Sequence, residues 1–314
     1  MKKRNDPYIA DAARKETDIV LNELLVRIRS VFESAEEGIA EEVKAYFSKF
    51  EKRDKEQLAR LESGEITNEE YMQWRLAQIG RGKSLDVLRE NCAQRVLRAE
   101  EVAAAYINND LAKVYALNRQ YTIDYVAEQC KDVLGGVSFE QWDENTVRRL
   151  LTEEPDLMPH YPQERAVNRG ISLAESKRKI TANITSGIIR GLGTDKIAAE
   201  LIRDIPNMGW VSAARTARTA VNAAENAGRQ DGAEQMEEMG VILEKEWVSA
   251  NSEKTREWHA AADGQRVMTK EPFIVGGEML LFPGDASLGA TGQNIYNCRC
   301  TRVNHVVGFK PIRK

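Results

Sequence analysis

Cysteine is scarce in this sequence, four residues in 314, and the positions 92, 130, 298 and 300 form no repeating pattern. A disulfide framework is thereby excluded, and a reducing compartment fits. Histidine is scarcer still, with three residues, so any imidazole chemistry falls to His160, His259 or His305. No apolar run approaches the roughly 18 residues that a bilayer span requires. "MKKRNDPY" is followed by acidic and polar residues in place of an apolar signal region, so assembly in the cytoplasm is expected. No GxSxG, Walker loop, HExxH or Rossmann fingerprint occurs. "GGVSFE", "GIIRGLG" and "GGEMLLFPGD" are glycine turns without the lysine or the strand-to-helix context of a phosphate loop. A formal net charge of -4 gives no global attraction to nucleic acid, and any such binding needs a local patch.

What is present is apolar material enough for a sizeable core, 42% hydrophobic against 30% charged, with a prior of two or three domains. Leu21, Leu25, Ile28, Phe32, Ile39, Val43, Tyr46 and Phe50 recur at helical steps, predicting one long amphipathic helix from Lys15 to Phe50. Thr67 and Glu70 have capping-box spacing and start a second helix. Residues 84–133 read as two helices interrupted at Asn108 and Asn109, with Cys92 and Cys130 as small packed thiols. Gly135, Gly136, Pro155, Pro159 and Pro162 mark a connector. Three short helices follow between Gln163 and Arg229, with Thr194 and Ser212 as N-caps and Gly191 and Gly193 as stops; the third is small-residue-rich and suited to close backbone approach.

After Gly240 the texture turns strand-like in "VILEKEWVS", "PFIVGGEMLLF" and "NIYNCRCTRVNHVVGF", with Gly276 and Gly277 set for a tight hairpin. The fold class expected is α+β: mainly helical N-terminal and central regions, then a small C-terminal α+β module with a hairpin and a terminal strand. The domain division expected is 1–162, helical, and 163–314, itself helical over 163–240 and α+β over 241–314.

The pair in "NCRC" admits several readings. On a strand over 294–303, Cys298 and Cys300 share a face with Tyr296 and Arg302. Their α-carbons would then lie roughly 6.5–7 Å apart, at the upper edge of disulfide spacing, which sets an internal bridge aside. A zinc site needs further ligands: His259 is the best candidate, Asp263 and Asp285 are weaker, His305 has the wrong parity, and His160 belongs to the connector. A thiol nucleophile with His259 as base is the other chemical reading. The bland one is two packed thiols beside a buried histidine, and it is the one expected here. An open, positively charged cleft lined by both sulfurs beside His259 would overturn it, and with it the idea of a rigid docking module whose sulfurs look inward.

Between 163 and 229, eleven Lys/Arg face six Asp/Glu. Arg165, Arg169, Lys177, Arg178 and Lys179 are the candidates for phosphate contact, an ordinary solvated helical face being the alternative. Trp74, Trp142 and Trp210 are scattered and form no stacking series for single strands.

"AARTARTAVNAAENAGR" (213–229), "EWVSANSEKTREWHAAADGQRV" (246–267), "LFPGD" (281–285) and "NCRCTRV" (297–303), in that order, resemble the phage Mu F-like family of minor head, or head morphogenesis, proteins of tailed bacteriophages. The resemblance covers about residues 165–305. Its matching positions are Arg215, Thr216, Arg256, His259, Asp263, Gly264, Pro283, Gly284, Asp285, Asn297, Cys298, Arg299 and Cys300. It implies a low-copy structural protein of the procapsid interior, partnered by portal, capsid or scaffold proteins and by packaged DNA, acting in head assembly and genome delivery. The helical residues 1–162 have the character of a portal-proximal portion. No catalytic residue and no cofactor are expected, zinc being the one metal the residues admit. Some relatives carry toxin domains after this module, whereas only "VVGFKPIRK" follows here, and no fused effector is expected.

Overall fold

A computed structural model describes residues 11–131 and 171–310. The connector, the boundary at Pro162, His160, Trp142, Arg165 and Arg169 lie outside the described residues. The α+β class holds: long helices come first, and a small antiparallel β module closes the chain.

The described residues form two compact units. One comprises those of Val26–Ala104 and Glu164–Ala214, the other those of Met1–Leu25, Ala105–Gln163 and Arg215–Lys314. Each unit therefore draws on residues from both sides of position 162, and neither follows the linear division read from composition.

The helix expected over 15–50 is α1, Ala12–Glu62. It is followed by α2, Asn68–Gln78, whose capping box is formed by Thr67 and Glu70 as the spacing requires. In the first unit, Ile39, Val43 and Tyr46 of α1 pack with Ile79. Leu88, Cys92 and Val96 come from α3, Lys83–Gln129, and Ile180, Ile184 and Ile188 from α4, Ile171–Ile189. Ile197, Leu201 and Ile205 of α5, Thr194–Glu238, complete this core.

Two sequence expectations fail here. Asn108 and Asn109 do not interrupt α3: both lie on its exposed side, where a modest propensity cost is outweighed by burial of Ile107 and Leu111. Likewise Ser212 is not an N-cap, because α5 runs unbroken from Thr194 with Pro206 inside it. Loss of one helix bond and a ring clash cost about 3 kcal/mol, and the Ile197, Leu201 and Ile205 face offsets that by burial.

In the other unit, α5 lies against α3 through glycine. A Cβ on Gly232 would sit 2.6 Å from the Arg119 carbonyl oxygen, and one on Gly228 would collide with that of Tyr115. The small-residue face does what its composition predicts. Beyond α5, strand β1, Val241–Val248, pairs antiparallel with β2, Arg266–Met268, and with β5, Thr301–Phe309, in the order β2-β1-β5. Between β1 and β2 sits the short helix α6, Glu257–Ala261. The predicted hairpin is present as β3, Phe273–Val275, and β4, Glu278–Leu280, with Gly276 and Gly277 at φ of 60° and 82°. Those two positive angles match the two-residue primed turn. A last short helix, α7, spans Gly292–Ile295.

Candidate functional site

The strand read over 294–303 is corrected by the structure: α7 ends at Ile295, a turn follows, and β5 begins only at Thr301. The cause is Asn297, whose backbone is left-handed at φ 53°, a conformation asparagine tolerates better than most side chains. Five backbone groups of this turn are pinned. The Asn297 amide donates to Thr219 Oγ1 at 3.0 Å, and the Cys298 amide donates to the Ile295 carbonyl at 3.2 Å. Carbonyl oxygens accept from Arg256 at Tyr296, from Arg14 at Arg299 (2.7 Å) and from Asn226 at Cys300 (3.3 Å). The side chains that hold the turn thus come from α1, α5 and the N-cap of α6.

Behind the turn lies a buried polar cluster. Glu225 accepts from Arg14 at 3.0 Å and from the Thr301 hydroxyl at 2.8 Å, while Arg229 pairs with Asp11 at 2.9 Å and donates to Asn118 at 3.1 Å. Charges this deeply buried persist only when paired and hydrogen-bonded. They fix α1, α3, α5 and the start of β5 against one another.

Held in this way, Cys298 and Cys300 present both sulfurs to one imidazole. His259 Nδ1 lies 3.4 Å from Cys300 Sγ and 3.6 Å from Cys298 Sγ, and all three atoms fall within 4.8 Å of one another. The other ring nitrogen, Nε2, is 3.0 Å from Asn294 Oδ1. Asn294 is itself oriented, its amide nitrogen donating to the Val275 carbonyl at 3.2 Å and to Glu278 at 2.6 Å. Its oxygen must then be the acceptor, taking hydrogens from Trp258 Nε1 at 2.7 Å and from His259 Nε2. In the neutral ring this network assigns the hydrogen to Nε2 and leaves the Nδ1 lone pair facing the sulfurs. Cys300 is held well below the ordinary thiol range by the Cys298 thiol that hydrogen-bonds to it, then by His259 and the Ala250 amide, against the opposing effect of burial. Cys298 is pushed the other way by Cys300 and by burial.

Each thiol is 2% exposed and His259 1%, which agrees with packed side chains. The three residues nevertheless adjoin a cavity of about 480 Å³ that is also bounded by Arg218, Lys254, Arg256 and Arg299 and, among the described residues, by no acidic one.

The remaining motif residues are structural in position. Asp263 accepts the Ser249 amide at 2.8 Å, and Gly264 turns at φ 79° to donate to the Trp247 carbonyl. Asp285 accepts the amides of Leu281 and Ser287, both at 2.8 Å. With Pro283 buried, Gly284 takes φ 91° against Ala223 of α5. None of these carboxylates joins the thiols, and His305 pairs with Glu246 at 2.8 Å. Asn297 and Arg299 tie the loops through their backbones, their side chains being exposed. Of the two copies of "ART", the first leaves Arg215 exposed. The second supplies Arg218 to the cavity and Thr219 to the turn, one helical step that sequence spacing alone did not distinguish. Asn294, Glu225, Lys254 and Arg14 were also missed, lacking any motif signal. In the other unit, Lys177, Arg178 and Lys179 lie on α4, where Lys177 pairs with Glu90.

Compared with known proteins, the chain is 30% identical over 142 residues to an NAD(+)--arginine ADP-ribosyltransferase, EFV, of Enterococcus faecalis (strain ATCC 700802 / V583). That similarity takes in 44% of this chain and 28% of the relative, so the chain spans little more than a quarter of that protein. No solved structure matches. Residues 178–303 match the phage Mu protein F like family, a stretch that contains the hairpin, the pinned turn and the helix α5 supporting them.

Proposed function

We propose that this chain is a minor head protein of a tailed bacteriophage or prophage, a low-copy structural component of the procapsid interior. It works by docking to portal and capsid or scaffold proteins during head assembly, remains in the virion, and serves genome delivery. The observation that carries this reading is the family match over residues 178–303. The density of side-chain ties to the 296–300 backbone supports it, since a docking module gains from a rigid, preorganised surface. Among the described residues no helix is long and apolar enough to cross a membrane, in keeping with this reading. A transferase reading rests on the name of one relative, of which the chain spans 28%.

Coexpression with the portal, capsid and scaffold proteins of the same phage or prophage tests the proposal. The chain is expected to sediment with procapsids and to be absent from particles assembled without portal. Procapsids free of the chain would overturn it. Incubation with labelled NAD and arginine-rich protein is expected to transfer no label.

A further inference from the structure

We propose that His259 Nδ1, Cys298 Sγ and Cys300 Sγ form a three-ligand site for a thiophilic divalent cation, zinc above all, with a fourth coordination position opening on the adjoining cavity. This inference does not depend on the head-protein reading.

Geometry carries it first. Zinc bonds of about 2.3 Å to sulfur and about 2.0–2.1 Å to nitrogen, at a tetrahedral angle, set the nitrogen-to-sulfur edge at about 3.6 Å. The observed edges are 3.4 and 3.6 Å. One Nδ1 lone pair can accept only one S–H, yet both sulfurs lie at nearly equal distance from it. A cation between the three atoms uses all of them.

The surrounding shell is also that of a metal ligand. A ligating imidazole typically donates its second ring N–H to a fixed acceptor, which sets tautomer and orientation. Asn294 Oδ1 fills that role and is locked by Val275, Glu278 and Trp258.

Donor type selects the metal. With two sulfurs, one imidazole and no carboxylate in the cluster, soft or borderline cations are favoured over magnesium or calcium. Two thiolates also neutralise a divalent charge, so Arg218, Lys254, Arg256 and Arg299 around the cavity do not oppose binding. Three protein ligands with space beside them leave a position for water or for a side chain donated by another protein.

The test uses the full chain. Elemental analysis after purification without chelator is expected to give about one zinc per chain. Replacement by cobalt is expected to give the intense visible bands of a tetrahedral site and a sulfur-to-cobalt charge-transfer band. Cys298→Ser and Cys300→Ser should each weaken that band, and Asn294→Ala should lower metal affinity about 10- to 100-fold in a chelator competition. Cys130→Ser, outside the cluster, should change none of these. Added imidazole or a small thiol should shift the cobalt bands by entering the fourth position. The site is overturned if the folded wild-type chain takes up neither zinc nor cobalt, or if the Cys298→Ser/Cys300→Ser double variant retains the metal. The open position is overturned if the bands ignore both added ligands. Wild-type cobalt spectra decide the matter even where a variant fails to fold.

Discussion

Lys245 sits at the centre of β1, fully buried, with Nζ donating to the Leu281 carbonyl at 2.7 Å and lying 5.2 Å from the Phe273 ring. Burial, then the nearby Arg302, pull its pKa down to about 7, against the attraction of Glu234, Asp285 and Glu237. The unfolded chain holds this proton up to about pH 10.4. Between roughly pH 7 and that value it therefore binds a proton the folded chain lacks, and stability rises with pH. Below about 7 both states are protonated, and the cost of the buried charge is fully present. Lys245→Met is expected to flatten the rise in thermal midpoint between pH 7 and 10. The slope is the diagnostic, because the variant also deprives the Leu281 carbonyl of its partner. At Thr219 the chemistry is simpler. Thr219→Val keeps the shape but removes the oxygen that accepts the Asn297 amide, which should destabilise the chain by about 1–3 kcal/mol in urea unfolding.

Elements differ in how visible they were beforehand. The first helix and the Gly276-Gly277 hairpin were legible because each writes its structure in local periodicity or turn chemistry, and the capping box at Thr67 likewise. The unbroken α5 was not, because Pro206 is a strong local stop that burial of its neighbours overrides. Three-residue β2 carries too few residues for alternation to register; it exists because β1 offers Glu244, Lys245 and Glu246 as partners for Met268, Val267 and Arg266. In the candidate site, His259, Cys298 and Cys300 were readable as chemically capable types, but their convergence depends on one left-handed asparagine and on Asn294, which no spacing rule marks. That the small-residue face of α5 would approach another backbone was foreseen from composition, that the backbone is α3's was not, and the contact can be tested directly. Gly228→Ala places a methyl where the Tyr115 carbonyl stands, in a helix where alanine is otherwise the better residue. A net destabilisation of about 1–3 kcal/mol is expected despite that propensity gain, since overpacking moves backbone. Gly193→Ala, with open space around it, should cost far less.

Across the whole molecule, the basic excess between 163 and 229 looks different once partners are known. Lys177 pairs with Glu90, Arg190 with Glu200, Arg203 with Asp204, and Arg229 is buried with Asp11 and Glu225. Among the described residues of that stretch, Arg178, Lys196 and Arg215 are exposed outside these pairs, while the chain as a whole carries a charge of -4. Each phosphate neutralised contributes about -0.9 to the slope of log K against log salt, so three contacts give a slope of about -3. Titration of labelled duplex DNA by anisotropy is expected to show weak binding with a slope no steeper than this. Arg178→Ala should make it shallower by about 1 without altering preference between sequences. Binding that ignores salt would remove DNA as an electrostatic partner of this segment. A much steeper slope would mean that further cations join, either Arg165 and Arg169 or the cations now paired on the helices, and in the second case the loss of their carboxylates would show as a loss of thermal stability on DNA binding.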